Sequence, residues 1–544
     1  AATGNCYTLA ASGITLDCQG YWIRGDGTGS LVNNSANIGN VTVKNCQFAN
    51  ATFGIDLFNT SNLVVWNNNW SMTSLRLEQN SSVMQNTTIA WNFNMSNATF
   101  NQTVNMTFEN NTISTMLVDR AGPPDFVTRS NNYKNNTFSN GITRLNDKGF
   151  TYQYNTILNQ SSEFNFTGDK GLFFSNRFRN TTLSLSSYKL NETMILNNSF
   201  IHNGSEGSPC LKMTRGDSLG NAYNITVANC TFSECTLLYY YLNPSRITII
   251  DTRFDNLYSP CPVISTWWNY GINLLNITIN TSASSAISGS SFNLILANST
   301  IIANASGATG IGWGFGSGIT IQDNKFKTSG TSIYSSGGTL TSYEGARVLN
   351  NYIESYASNG CVYHLGDNDI YRNIVISGNQ FNCSTIRFAT DNAIRELNFT
   401  DNTINNGSLI LGDYLQGTIF ITNNSFNHQS TSSLGLTGST LSNSLIANNT
   451  FNNYTSALSI SGSVENLTII DNVIANSTLG FNITGGRRAY INNITFSNVV
   501  NPLVLTNALN TTINNTRTAN FTSITLTGLA SINFTASANF TVNQ

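Results

Sequence analysis

Charge is scarce in this chain. Only 10% of its 544 residues are Asp, Glu, Lys or Arg, and the net charge is −2, where a soluble domain usually carries about 25% charged residues. Without a basic cluster there is no electrostatic footprint for nucleic acid. Histidine is rarer still: three residues, scattered like the seven Met, which leaves no ligand cluster for copper or any other metal. No CxxC pattern is present, so neither a zinc knuckle nor a redox motif is expected, and no cofactor is implied. No apolar run is long enough to cross a bilayer, so no membrane span is expected. The sequence also begins without a start Met or leader, which reads as a chain already processed for export.

A repeated phrase fills the sequence instead. Ile419 to Phe426 reads IFITNNSF, and the same pattern recurs as VTVKNCQF (Val41 to Phe48), MTFENNTI (Met106 to Ile113), ITVANCTF (Ile225 to Phe232), ITIQDNKF (Ile319 to Phe326), IVISGNQF (Ile374 to Phe381) and LTIIDNVI (Leu467 to Ile474). Apolar residues fall mostly at the first, third and eighth places, the period of two expected of a strand with one buried face. The fifth place holds Asn, Asp or Gly, as at Asn423, Asp323, Asp401 and Gly378. These residues tolerate a left-handed backbone, so a tight bend belongs there. The sixth place is Asn at positions 111, 136, 198, 324, 351, 379, 402, 424, 449 and 472. An amide offers two donors and an acceptor, so amides stacked in register can bond to one another and to the bend. Asn111, Asn136, Asn198, Asn351, Asn424 and Asn449 are therefore expected in an asparagine ladder.

The bend recurs with a mean step of roughly 23 residues, the signature of a solenoid. A rung of that length suits three short strands, each pairing in parallel with its copy in the next rung. The expected fold is all-β: a right-handed, single-stranded parallel β-helix of about 22 coils, the hand following from the right-handedness of parallel crossovers. Residues 1–13 are expected to cap it, 14–515 to form the β-helix, and 516–544 to form final irregular coils or a strand-rich tail. The tail, Ser523 to Val542, carries no Lys or Pro to protect an edge, so it is a candidate joint between subunits. The Tyr239–Tyr240–Tyr241 run, Trp267–Trp268 and the Ser/Gly-rich stretches 282–291 and 328–341 are expected in loops and flexible spacers.

The repeat, together with the opening phrase GITLDCQGYWIRGDG at Gly13 to Gly27, resembles the NosD-like parallel β-helix repeat of secreted archaeal and bacterial surface proteins. That resemblance covers nearly the whole chain. It implies a β-helix and says little about activity, because this rod carries lyases, hydrolases, adhesins and structural proteins.

Sequons point to export. About 40 Asn-X-Ser/Thr matches occur, roughly twice the chance number. Those in spacers, including Asn33, Asn59, Asn80, Asn97, Asn101, Asn203, Asn304, Asn453 and Asn476, are the expected glycan acceptors; others follow from the repeat itself. The nine cysteines point to an oxidising compartment and an odd thiol. Cys6 and Cys18 bracket the first coil and are the expected pair there, with Cys46 as the alternative partner of Cys18. Cys361 and Cys383, about one rung apart, are expected to bridge. The pairing among Cys210, Cys230, Cys235 and Cys261 is left open.

For catalysis the candidate is a group of acids and an Arg: Asp391 and Asp413 at nearly the same place in successive coils, with Asp367, Asp369 and Arg395 nearby. Carboxylates about 5 Å apart serve retaining glycosidases, and acids with Arg suit uronic-acid polymers. The bland reading, solvated or paired turn acids, is preferred. Trp66 and Trp91 are read as occupying one outward place on neighbouring coils, a platform for sugar or a subunit contact. The function expected is a non-enzymatic, N-glycosylated, extracellular structural protein, a filament, sheath or surface-layer subunit that contacts itself head to tail or binds other surface proteins. The alternative is a polysaccharide-active enzyme or carbohydrate-binding adhesin.

Overall fold

The computed structural model describes residues 4–78, 84–85, 87–101, 103–119, 131–141, 143–145, 149–160, 163–166, 170–186, 192–202, 209–214, 224–240, 246–256, 262–313, 318–336, 343–356, 360–365, 370–388, 393–412, 415–428, 434–438, 441–462, 464–519, 524–528, 532–535 and 542–543. Two compact units are present, Ala1–Ser259 and Pro260–Gln544. Each is a parallel β-solenoid, and the described residues contain no helix.

In the first unit the repeat phrase supplies two strand rows around one bend. Thr15–Asp17, Thr42–Lys44, Val64–Trp66, Thr88–Ala90 and Thr107–Glu109 pair in parallel, each with the next. Beyond the bend run Trp22–Arg24, Gln47–Ala49 and Asn69–Ser71. A third row contains Tyr7–Leu9, Ser30–Asn34, Phe53–Phe58 and Ser74–Glu78. Residues 7–9 are thus already a strand of the solenoid, inside the span expected to be a cap. The second unit repeats the arrangement, for example Ile374–Ser377 with Ala393–Thr400, then Leu415–Thr422 and Leu445–Ala447. The described part of 516–544 continues it: Ile524–Thr527 pairs with Thr495–Thr506, and Ile532–Thr535 with Thr511–Asn514.

The alternation read in the sequence decides what is buried. The third place gives the column Val43, Val65, Ile89, Phe108, Tyr133 and Tyr152, all fully buried. The eighth place gives Phe178, Phe200, Phe232 and Phe254, stacked at 4.8, 4.7 and 4.7 Å between centroids. That distance is the strand spacing of about 4.8 Å, so the ladder of backbone bonds sets the ring stacking. Each such ring contributes about 1.5–3 kcal/mol by burial, and each aromatic pair roughly a further 0.5–1.5 kcal/mol.

At the bend φ is near +55°, as at Asn45, Asn67, Asn110, Asn135, Asn423 and Asp401. Gly378 takes the place where φ is +69° and a Cβ would come within 2.2 Å of Asn350 Oδ1. The next residue turns its amide inward. In the first unit Asn68, Asn92, Asn111, Asn136, Asn155, Asn176 and Asn198 form a buried ladder, each Nδ2 donating to the next Oδ1 at 2.9–3.1 Å. Asn324, Asn351, Asn379, Asn402, Asn424, Asn449 and Asn472 do the same in the second unit. Each Oδ1 also accepts the backbone N–H of its neighbour, and the second amide hydrogen reaches a carbonyl of the preceding coil, as in Asn136 Nδ2 to Phe108 O at 2.7 Å. The group is therefore fully used where burial would otherwise penalise it.

Several sequence expectations are corrected. Cys18 pairs with Cys46, with Cα atoms 4.7 Å apart, and Cys6 is free. The reason is register: Asp17 faces Lys44, which brings Cys18, one residue further on, beside Cys46, two residues further on at the buried ladder place. The other bridges are Cys210–Cys235 and Cys361–Cys383. Cys230 is a buried free thiol, and Cys261 lies outside the described residues. Tyr239 and Tyr240 belong to strand Thr236–Tyr240, and Trp267–Trp268 to Ile264–Leu275, consistent with the strand preference of aromatics. The stretch 282–291 is mostly strand, Ser285–Ala297. Its Gly289 answers a close approach, since a Cβ there would lie 1.7 Å from Thr266 O.

Candidate functional site

Of the acids singled out for catalysis, Asp367, Asp369, Asp391 and Asp413 lie outside the described residues. Arg395 is half-buried on strand Ala393–Thr400. Its carbonyl presses against Gly417 of the neighbouring rung, where a Cβ would lie 1.5 Å away. Among the described residues no group of His, Cys, Asp and Glu could hold a metal. Charges instead meet opposite charges on adjacent coils, as in Lys44–Asp17 at 3.3 Å, Lys134–Glu109 at 3.4 Å and Lys170–Glu192 at 3.2 Å. The carboxylate of Asp26, in the Arg24-Gly25-Asp26 turn, accepts from the backbone and hydroxyl of Thr28 at 3.0 and 2.8 Å. Those bonds hold its pKa below the ordinary carboxylate value.

The spacer asparagines differ in access. Asn97, Asn304 and Asn476 are exposed, whereas Asn33, Asn59 and Asn453 are half-buried. Asn476 also donates to Asn452 Oδ1 at 3.0 Å, and Asn453 to His428 O at 3.1 Å. Asn101 ends strand Met95–Asn101; Asn80 and Asn203 lie outside the described residues.

The two tryptophans do not share a place. Trp66 is paired with Ala90 and with Lys44, while Trp91 is itself the bend residue, with φ +59°, in line with Asn45 and Asn67. Asn92 therefore enters the buried ladder. The sequence reading slipped by one because Asn92 is acceptable at either place, and only the register separates them.

Around this bend the first unit carries a groove of about 420 Å³ lined by Gln19, Gly20, Asn45, Cys46, Gln47, Asn67, Asn68, Asn69 and Phe93. Its outer column runs Trp22, Gln47, Asn69 and Phe93, each in register with the next. Two amides therefore stand between two aromatic rings. Trp22 is 55% exposed, Trp91 49% and Phe93 42%. The coil bearing Trp91 holds one extra residue here, since Asn92 to Met95 spans what Asn111 to Ile113 spans in the next coil. The extra residue is Asn94, at φ +59°, and Phe93 keeps the outward place that Asn69 holds on the coil before; a bulge of this sort re-aims side chains locally. The signal for this groove was in the sequence: an aromatic where the repeat asks for Asn, and one residue too many before the next apolar place.

No family model matches the chain, and no curated protein does, so the NosD-like resemblance rests on the residues alone. Solved structures to which it is similar include PfbA, a surface adhesin of Streptococcus pneumoniae, at 15% identity over 62% of this chain and 84% of that one, TM-score 0.26. The PL6 family alginate lyase AlyGC is similar at 9% identity over 98% and 96%, TM-score 0.20. Tailspike protein 3 of bacteriophage CBA120 is similar at 10% identity over 86% of this chain and 54% of that one, TM-score 0.15. These are likenesses of fold, too distant to bear on function.

Proposed function

We propose that this chain is an extracellular, N-glycosylated structural protein, a subunit of a filament, sheath or surface layer. The observation that carries the reading is the surface: sequon asparagines such as Asn97, Asn304 and Asn476 stand exposed on solenoid walls whose charges are few and in several cases paired with the neighbouring rung. Solubility then falls to amides, hydroxyls and attached sugar. The three disulfides among the described residues suit an oxidising exterior. Contact through the segment around 523–542 is the proposed mode of assembly. The terminal rung of any parallel stack presents unpaired N–H and C=O groups, and adding a further rung satisfies them. Glycopeptide mass spectrometry on protein from its native source is the test. Sugar on Asn304 and Asn476 is expected; bare asparagines at all exposed sequons would reject the glycoprotein reading.

A further inference from the structure

The groove at the Trp91 bend combines two departures from the repeat on one coil, a bulky residue at positive φ and a bulge. Strain of the first kind is a cost that a residue suited to the bend avoids, and such sites concentrate where a side chain has a function. Packing does not account for Trp91. The other aromatic at this place, Tyr154, also at positive φ, rests edge-on against Phe174 with centroids 5.6 Å apart, whereas Trp91 makes no ring contact among the described residues.

Trp91 also ends a surface chain of amides. Asn45 Nδ2 donates to Asp17 Oδ1 at 3.0 Å and Asn67 Nδ2 to Asn45 Oδ1 at 2.8 Å. The next donor in line would be an amide at position 91. Asn67 Oδ1 consequently has no partner among the described residues. Asn69 accepts from Asn94 at 3.1 Å and Gln47 donates to Gly20 O at 2.7 Å, and among the described residues Asn69 Nδ2 and Gln47 Oε1 have no partner. Two acceptors and a donor thus face the groove, on rungs about 4.8 Å apart.

We propose that this groove binds an uncharged glycan, with a hexopyranose ring lying on Phe93, which lines it, further rings reaching the exposed Trp22 and Trp91 on either side, and vicinal hydroxyls bonding to Gln47, Asn67 and Asn69. A pyranose presents an apolar C–H face, which suits an aromatic ring, and hydroxyls that both donate and accept, which suit amides. Charge selects the uncharged class. The lining holds no ionisable side chain beyond the disulfide-bonded Cys46, and the nearby Asp17 and Lys44 neutralise each other at 3.3 Å. The Cys18–Cys46 bridge fixes the floor, so the site is preformed.

The inference is independent of the structural reading and is tested separately. The full-length protein is titrated by calorimetry with maltohexaose, cellohexaose, mannohexaose, hexagalacturonate and its own released N-glycans. Saturable binding of a neutral probe, weakened at least tenfold in both Phe93→Ala and Trp91→Asn, is the expected result. Trp91→Asn keeps the fold, because Asn occupies this place in the neighbouring coils. Binding of the released glycans would mark a second copy as the source, and binding of the neutral hexasaccharides an external polysaccharide. The proposal is overturned if no neutral probe binds, if hexagalacturonate binds more tightly, or if Trp91→Asn binds as well as the parent. A glycan found on Asn69, which heads the sequon Asn69-Trp70-Ser71, would also overturn it by filling the groove.

Discussion

At the scale of single residues the fold depends on buried amides with no slack. Replacing Asn424 by Ala strands the backbone N–H and Nδ2 of Asn402 and the carbonyl of Phe399, in a position fully removed from water. The expected cost is about 3 kcal/mol, read as a lowered thermal midpoint, and Asn424→Asp should be no better because a carboxylate cannot donate to Asn449. Trp91→Asn should do the opposite. It relieves the left-handed backbone and supplies Asn67 with a donor, raising stability by about 1 kcal/mol. Cys230 shows what happens when the ladder place loses its amide: burial pushes the thiol from an ordinary value of 9.0 to about 11. The unfolded chain then loses this proton first, so the stability it contributes is full below pH 9 and is lost as the pH rises through 11. Iodoacetamide at pH 8 should spare Cys230 in the native protein and label it only after unfolding; labelling of the native thiol would contradict the burial. The ladder amides were legible from composition and spacing alone. The identity of the bend residue at Trp91 was not, because Asn92 satisfies both readings until strand register is known.

At the scale of strands and rungs, disulfides and stacked rings reinforce the same parallel register. The Cys361–Cys383 bridge closes a loop of 22 residues, worth about 3 kcal/mol in the chain-entropy account. A Cys361→Ser/Cys383→Ser variant should melt earlier by that amount while keeping its β-sheet circular dichroism. The strand rows on either side of the bend followed from the alternation in the repeat phrase, whereas the third row, in the spacers, did not. Where the phrase was absent the reading failed for physical reasons. Glycine at position 289 looked like a spacer residue, yet it permits contact with Thr266 of the adjacent rung, a constraint invisible along one strand. Further left-handed positions bracket the phrase, including Asn40, Asn50, Asn62, Met72 and Asn180. They were missed because residues as different as Asn and Met occupy them. The partner of Cys18 was decided by the register of the first two coils, which brings Cys46 within reach, not by which cysteine is nearest in sequence.

At the scale of the whole molecule, low charge is the dominant property. The described ion pairs are all at least partly exposed, from Arg76–Asp56 at 35% and 19% accessibility to Lys170–Glu192 at 45% and 55%, and surface pairs contribute about 0–1 kcal/mol each. The thermal midpoint should therefore shift by less than about 2 °C between low and molar salt; a larger fall would mean that charge holds the fold. What composition could not specify is the use to which the uncharged surface is put, because sequons, amide columns and aromatic platforms all draw on the same Asn-rich repeat. Cryo-electron microscopy of the protein in its native assembly is the deciding measurement for a structural role. Subunits joined into filaments or sheets, with sugar density on exposed spacer asparagines, are expected; isolated solenoids with bare sequons would rule that role out.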